Sequence, residues 1–94
     1  MIDVKEIKDL IKMIRRVTEP NIPYEEWFDK PMMEAVGDDR KGLEDMLSKM
    51  SIDELDVMCS SFDLFYDKWH DDEMLNMLDG YAEKLRDAGR EGIW

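Results

Sequence analysis

In Ser51-Ile52-Asp53-Glu54-Leu55-Asp56-Val57-Met58-Cys59-Ser60-Ser61-Phe62-Asp63-Leu64-Phe65-Tyr66-Asp67-Lys68-Trp69, the apolar residues Ile52, Leu55, Cys59, Phe62, Tyr66 and Trp69 recur at spacings of three and four. At 3.6 residues per turn such positions line one face of an α-helix. Met58 and Phe65 widen the stripe. Ser51 with Glu54 has the S-x-x-E form of a capping box, in which the two residues satisfy each other's backbone N–H. The spacing predicts a core helix over 52–69.

The same periodicity extends outward. Downstream, Met74, Leu78, Tyr81, Leu85 and Ala88, flanked by Leu75, Met77 and Ala82, predict a helix over 72–88, with Gly89 placed to close it in the left-handed conformation. A break near His70–Asp71 separates the two. Because no Gly or Pro lies between 52 and 79, one continuous helix is the alternative, and it would favour dimerisation through the apolar stripes. Upstream, Leu43, Met46, Leu47 and Met50 mark a helix over 39–49, in which Gly42 weakens the first turn by about 1 kcal/mol relative to Ala. A first helix covers 3–17. Asp3 and Glu6 open it, Val4, Ile7, Leu10, Ile11, Ile14 and Val17 form its stripe, Arg15 and Arg16 complement its dipole, and Pro20 ends it.

Residues 18–37 hold all three prolines and read as an irregular elbow. Pro23 opens a short turn through Tyr24–Phe28. Asp29 caps a second that begins near Pro31 and closes at Gly37, while Trp27, Phe28, Met32 and Met33 plug the end of the bundle. No stretch alternates with period two, so strands are not expected. The expectation is an all-α protein: a single acidic domain over 1–94, built as a small bundle of about four helices, with a Pro-containing elbow between the first and second. A chain of this length buries roughly 60–65% of its unfolded surface, enough for a small core.

Charge narrows the function classes. The net charge is −11. Residues 1–17 are net positive, whereas residues 51–83 hold ten acids and one base, Lys68. Direct binding to nucleic acid or to an anionic membrane needs Lys and Arg against phosphate, and neither is expected. A basic protein partner, approached by electrostatic steering, fits better; acidity that only keeps a small protein soluble is the plainer reading. Cys59 is the only cysteine, which excludes an internal disulfide and a Cys-based zinc site. With no apolar run of membrane-spanning length and no signal-peptide pattern, a reducing cytoplasm is expected.

Catalysis lacks its parts. Asp67-x-x-His70 has the i, i+3 spacing of a carboxylate–imidazole metal pair, but His70 is the only histidine and the second copy that a di-iron site needs is missing. The acids of 53–73 do not make a calcium loop, because the glycine at its sixth position is absent. Ser51 reads as a cap, His70 lies nine residues beyond Ser61, and Cys59 falls in the apolar stripe. No enzyme activity, metal or cofactor is expected.

With Ile52 as heptad position a, the stripe takes a, d and g. Asp53, Glu54, Asp56, Asp63 and Asp67 take b, c and e. Val57 and Leu64 fall at f, about 140° from a, in the middle of the acids. Either another element covers this pair, or it is an apolar centre ringed by carboxylates, the layout of a protein interface. Asp71, Asp72 and Glu73 extend the acidic run, and the C-terminal Trp94 either folds back or serves as an anchor. The functional expectation is a protein-binding module: an acidic inhibitor or neutralising partner that blocks the basic, nucleic-acid-binding surface of a nuclease, toxin or nucleoprotein effector. Immunity proteins, antitoxins and phage anti-defence proteins are analogous in size and charge only. The alternative is a structural or accessory helical subunit, or a homodimer.

Overall fold

In the computed structural model, residues 1–17 and 21–91 are described, and their regular structure is entirely helical. Pro20, expected to stop the first helix, and Gly92-Ile93-Trp94, with the candidate anchor Trp94, lie outside the described residues. By its internal contacts the chain divides into two compact units, Met1–Lys49 and Met50–Trp94.

The first unit opens with α1, Val4–Arg16. The Asp3 carboxylate accepts the Glu6 N–H at 3.1 Å, so the sequence-predicted start is observed. Ile7, Leu10 and Ile11 are buried, and Arg15 and Arg16 occupy the last turn. The Asp3 N–H donates to the Ala35 carbonyl at 2.8 Å, tying the start of α1 to the segment that follows.

That segment corrects the expected elbow. A π-turn, Glu25–Asp29, runs directly into α2, Lys30–Val36. Asp29 has helical dihedrals (φ −58°, ψ −49°) and caps nothing with its side chain. Pro31 gives the physical reason. It has no N–H for the Trp27 carbonyl four residues back, and its ring would crowd that carbonyl in a regular helix. Widening the preceding turn relieves both problems, and the Lys30 N–H bonds instead to the Glu25 carbonyl. The extra residue also shifts the phase of the face. Phe28 and Met32 are fully buried, but Trp27, expected in the core, is 45% exposed. Gly37 closes α2 as expected, at φ +59°, with its N–H on the Met33 carbonyl at 3.0 Å.

Helix α3, Arg40–Lys49, buries Leu43, Met46 and Leu47. One Asp39 carboxylate oxygen accepts the Gly42 N–H at 3.0 Å and the other accepts the Ile2 N–H at 2.9 Å. These two backbone donors, Ile2 first, hold the Asp39 carboxyl below its ordinary range. Gly42 is a packing requirement here. A Cβ at this position would run into the Asp39 carboxylate and the Ile2 side chain.

The second unit contains α4, Ile52–Cys59, α5, Phe62–Lys68, and α6, Asp72–Asp87. The expected helix over 52–69 is therefore two helices, and the described chain holds six α-helices and the π-turn in place of four helices. The break falls at Ser60–Ser61, where the Ser60 hydroxyl donates to the Val57 carbonyl at 2.9 Å and the Ser61 N–H bonds three residues back, to Met58, at 2.9 Å. A side-chain hydroxyl that takes up a helix carbonyl competes with the regular ladder, and the helix ends. The break near His70–Asp71 is observed, so a continuous helix through 52–88 is excluded. Asp71 caps α6, accepting the Met74 N–H at 2.9 Å.

Helix α6 packs on both α4 and α5. Leu55, Met58, Cys59, Phe62 and Phe65 from the first two, with Met74, Leu78, Ala82 and Leu85 from α6, form the core of this unit. Phe62 and Phe65 sit 6.2 Å apart in tilted geometry, and burying each contributes about 1.5–3 kcal/mol. The apolar stripes of 52–69 and 72–88 are thus covered within one chain, so pairing of those stripes between chains is not what buries them.

Two glycine substitutions should act with opposite sign. Gly80 lies mid-helix in α6 with open space where a Cβ would stand. Gly80→Ala should raise stability by about 0.5–1 kcal/mol, whereas Gly42→Ala should lower it despite the same gain in helix propensity. Urea denaturation midpoints of the two variants check this.

Candidate interaction surface

The acids of 53–73 separate by what they do in the fold. Glu54 completes the capping box: its carboxylate accepts the Ser51 N–H at 3.0 Å, and its N–H donates to the Ser51 hydroxyl at 3.2 Å. Asp71 is the cap of α6. Asp53 and Asp56, one turn apart on α4, are bridged by a single guanidinium. Arg90 donates through Nη1 to Asp56 Oδ2 at 2.7 Å and through Nη2 to Asp53 Oδ1. The two carboxylates hold the guanidinium even more firmly protonated than usual, Asp53 first.

The backbone delivers Arg90 to this position. Helix α6 ends in a Schellman motif: Gly89 stands at φ +82° with its N–H on the Arg86 carbonyl at 3.0 Å, and the Arg90 N–H reaches the Leu85 carbonyl at 2.8 Å. Arg90 is the residue that sequence reasoning missed. The Gly89 signal places it just past the helix stop, but partners 34 and 37 residues away leave no local pattern.

The remaining members are Asp63, Asp67, Asp72 and Glu73, all exposed. Asp63 and Asp67 are four residues apart on α5 and share one side of it, a like-charge pairing that disfavours the helix carrying it. Asp72 and Glu73 lie in the first turn of α6, where the helix dipole favours carboxylates. The one base among them, Lys68, has its ammonium 5.3 Å from the centre of the Trp69 ring.

The expected apolar centre is not formed as a heptad pair. Val57 is in α4 and Leu64 in α5, on opposite sides of the serine break, and both are half-buried. Asp53, Glu54 and Asp56 accordingly do not continue the face that carries Asp63 and Asp67 along one helix.

Groups considered for chemistry are otherwise engaged. The Ser51 and Ser60 hydroxyls bond to backbone, and Ser61 is buried. His70 is exposed, with its ring 4.3 Å from that of Tyr66. Among the described residues no three His, Cys, Asp or Glu side chains are grouped to hold a metal ion. Burial pushes the Cys59 thiol up, helped by the nearby Asp56 charge and opposed by Arg86. Among the described residues no helix is long and apolar enough to cross a membrane. No protein-family model matches the chain, and no curated protein or solved structure is significantly similar to it.

Two expectations follow. If the Arg90 fork acts as one unit, Arg90→Ala and the double variant Asp53→Asn/Asp56→Asn should each lower the urea midpoint, and the triple variant should be no worse than the more damaging of them. Additive losses would show independent effects. Cys59 should resist alkylation at pH 8 in the folded protein and react readily in denaturing urea, as followed by mass spectrometry.

Proposed function

We propose that this chain is a non-catalytic protein-binding module, and that its exposed carboxylates at the α5–α6 junction receive a basic partner in the way phosphates would. The observation that carries this reading is the division of labour among the acids. Asp53, Glu54, Asp56 and Asp71 have structural tasks, whereas Asp63 and Asp67 are exposed, like charges four residues apart on α5, and cap no helix. A short helix that carries such a pair is weakened by it. A cationic surface would convert that repulsion into attraction and accelerate encounter.

The partner class that fits is a protein whose own working surface is basic, such as a nuclease, a toxin or a nucleoprotein effector, and the consequence of binding is inhibition by occupation of that surface. Val57 and Leu64, half-buried on either side of the serine break, supply limited apolar contact. The recognition is therefore chiefly electrostatic, and the complex is sensitive to salt.

The test is capture from lysate of the source organism, with the bound protein identified and then purified. Asp63→Lys/Asp67→Lys should weaken its binding by about tenfold or more, chiefly through a slower on-rate. Asp53→Asn/Asp56→Asn should leave the affinity nearly unchanged. A partner of acidic surface, or equal binding by the lysine variant with an unchanged circular dichroism spectrum, overturns the reading.

A further inference from the structure

The Arg90 fork shows how this fold takes up a guanidinium. Two carboxylates a turn apart on one helix, Asp53 and Asp56 of α4, each accept from one of its terminal nitrogens. A planar guanidinium spans such a pair with parallel donors, whereas an ammonium is a compact point charge. Helix α5 repeats the arrangement. Asp63 and Asp67 stand one turn apart on it, and both are exposed.

What α5 adds is aromatic. Asp63, Tyr66 and Asp67 fall within one arc of about 100° on the helix, on the side away from the buried Phe65. His70, just past the end of α5, brings its ring to 4.3 Å from that of Tyr66, tilted by 34°. Tyr66 is half-buried and His70 exposed, so the ring pair is held by the fold at one end and open to solvent at the other. Lys68, the one base of this stretch, falls on the other side of α5, with its ammonium 5.3 Å from the centre of the Trp69 ring. Two carboxylates beside an accessible pair of rings are the parts of a site for a flat cation: opposite charge at its edge and ring faces for it to stack on.

We propose that Asp63, Asp67 and the Tyr66–His70 ring pair form an arginine-binding site, in which the guanidinium of a partner's arginine forks across the two carboxylates and stacks on the rings. The inference rests on the reading of the α5–α6 surface as the one that receives a basic partner, and it names what that surface recognises: arginine in preference to lysine. A guanidinium is less strongly hydrated than an ammonium and gives up less solvation when it lies on a ring. The second carboxylate and the rings both act more on the flat cation than on the round one. The preference is therefore local to this site. It does not follow from the net charge of −11, which attracts lysine and arginine alike.

The test uses tetra-arginine and tetra-lysine peptides, equal in length and charge, titrated into the full chain at low ionic strength and followed by heteronuclear NMR. Tetra-arginine should bind about fivefold more tightly than tetra-lysine, with its shift changes centred on residues 63–70. His70→Ala should remove most of that preference, and Asp63→Asn/Asp67→Asn should weaken tetra-arginine binding by about tenfold, each with an unchanged circular dichroism spectrum. Asp79→Asn/Glu83→Asn takes the same charge from exposed positions of α6 and should change neither affinity nor preference. Equal affinity for the two peptides, shift changes centred elsewhere, a preference that survives His70→Ala, or an equal loss in Asp79→Asn/Glu83→Asn would each overturn the proposal. Equal affinity that is nonetheless lost in Asp63→Lys/Asp67→Lys removes the arginine site and leaves the partner reading standing. A captured partner indifferent to Asp63→Lys/Asp67→Lys, beside an arginine preference mapped to residues 63–70, does the reverse.

Discussion

The bond from the Ser60 hydroxyl to the Val57 carbonyl governs the acidic half of the chain. It lies where one long helix would otherwise run through residues 52–69, and with the Met58–Ser61 turn it ends α4 and lets α5 begin in its own register. Two short helices then share one cover, because α6 packs on both. Neither α4, with eight residues, nor α5, with seven, is long enough to be stable alone in water. Their stability comes from the buried Leu55, Met58, Phe62 and Phe65 against α6, and from the caps at Ser51 and Asp71.

That arrangement sorts the carboxylates. A protein with this much negative charge has to place it where the fold gains or where solvent absorbs it. The capping acids Asp3, Asp39, Glu54 and Asp71 each accept backbone N–H groups at a helix start, where the dipole also favours them. Asp53 and Asp56 share the single positive charge of Arg90. What is left over on α5 lacks this kind of compensation, and the functional reading rests on that remainder and not on the total charge.

Features set by neighbours within one or two turns were legible in the sequence. The Ser51–Glu54 box, the Asp3 cap, the Gly37 and Gly89 stops, the break before Asp71 and nearly all the buried positions follow from spacings of three, four and seven. The serine break was not legible, because Cys59 and Phe62 stay in phase across it and the apolar stripe reads as unbroken. Pro31 signalled irregularity correctly, but a π-turn accommodates it inside a continuous helical stretch, and the one-residue phase shift moves Trp27 outward. Of the candidate surface, the acids read as one face because a single heptad register runs through 52–69, whereas the fold divides them between α4 and α5. Separating structural acids from solvent-facing ones required Arg90, whose partners lie 34 and 37 residues away.

Gly42 shows the same limit from the opposite direction. By propensity alone it is a defect in the first turn of α3. In the fold it is where the backbone of α3, the Asp39 carboxylate and the Ile2 side chain converge, and no side chain fits. The Asp39 carboxylate joins two backbone donors that are 40 residues apart in the chain, Ile2 and Gly42, and so couples the start of the chain to the start of α3. The short helices of the first unit are held by this kind of convergence as much as by apolar burial.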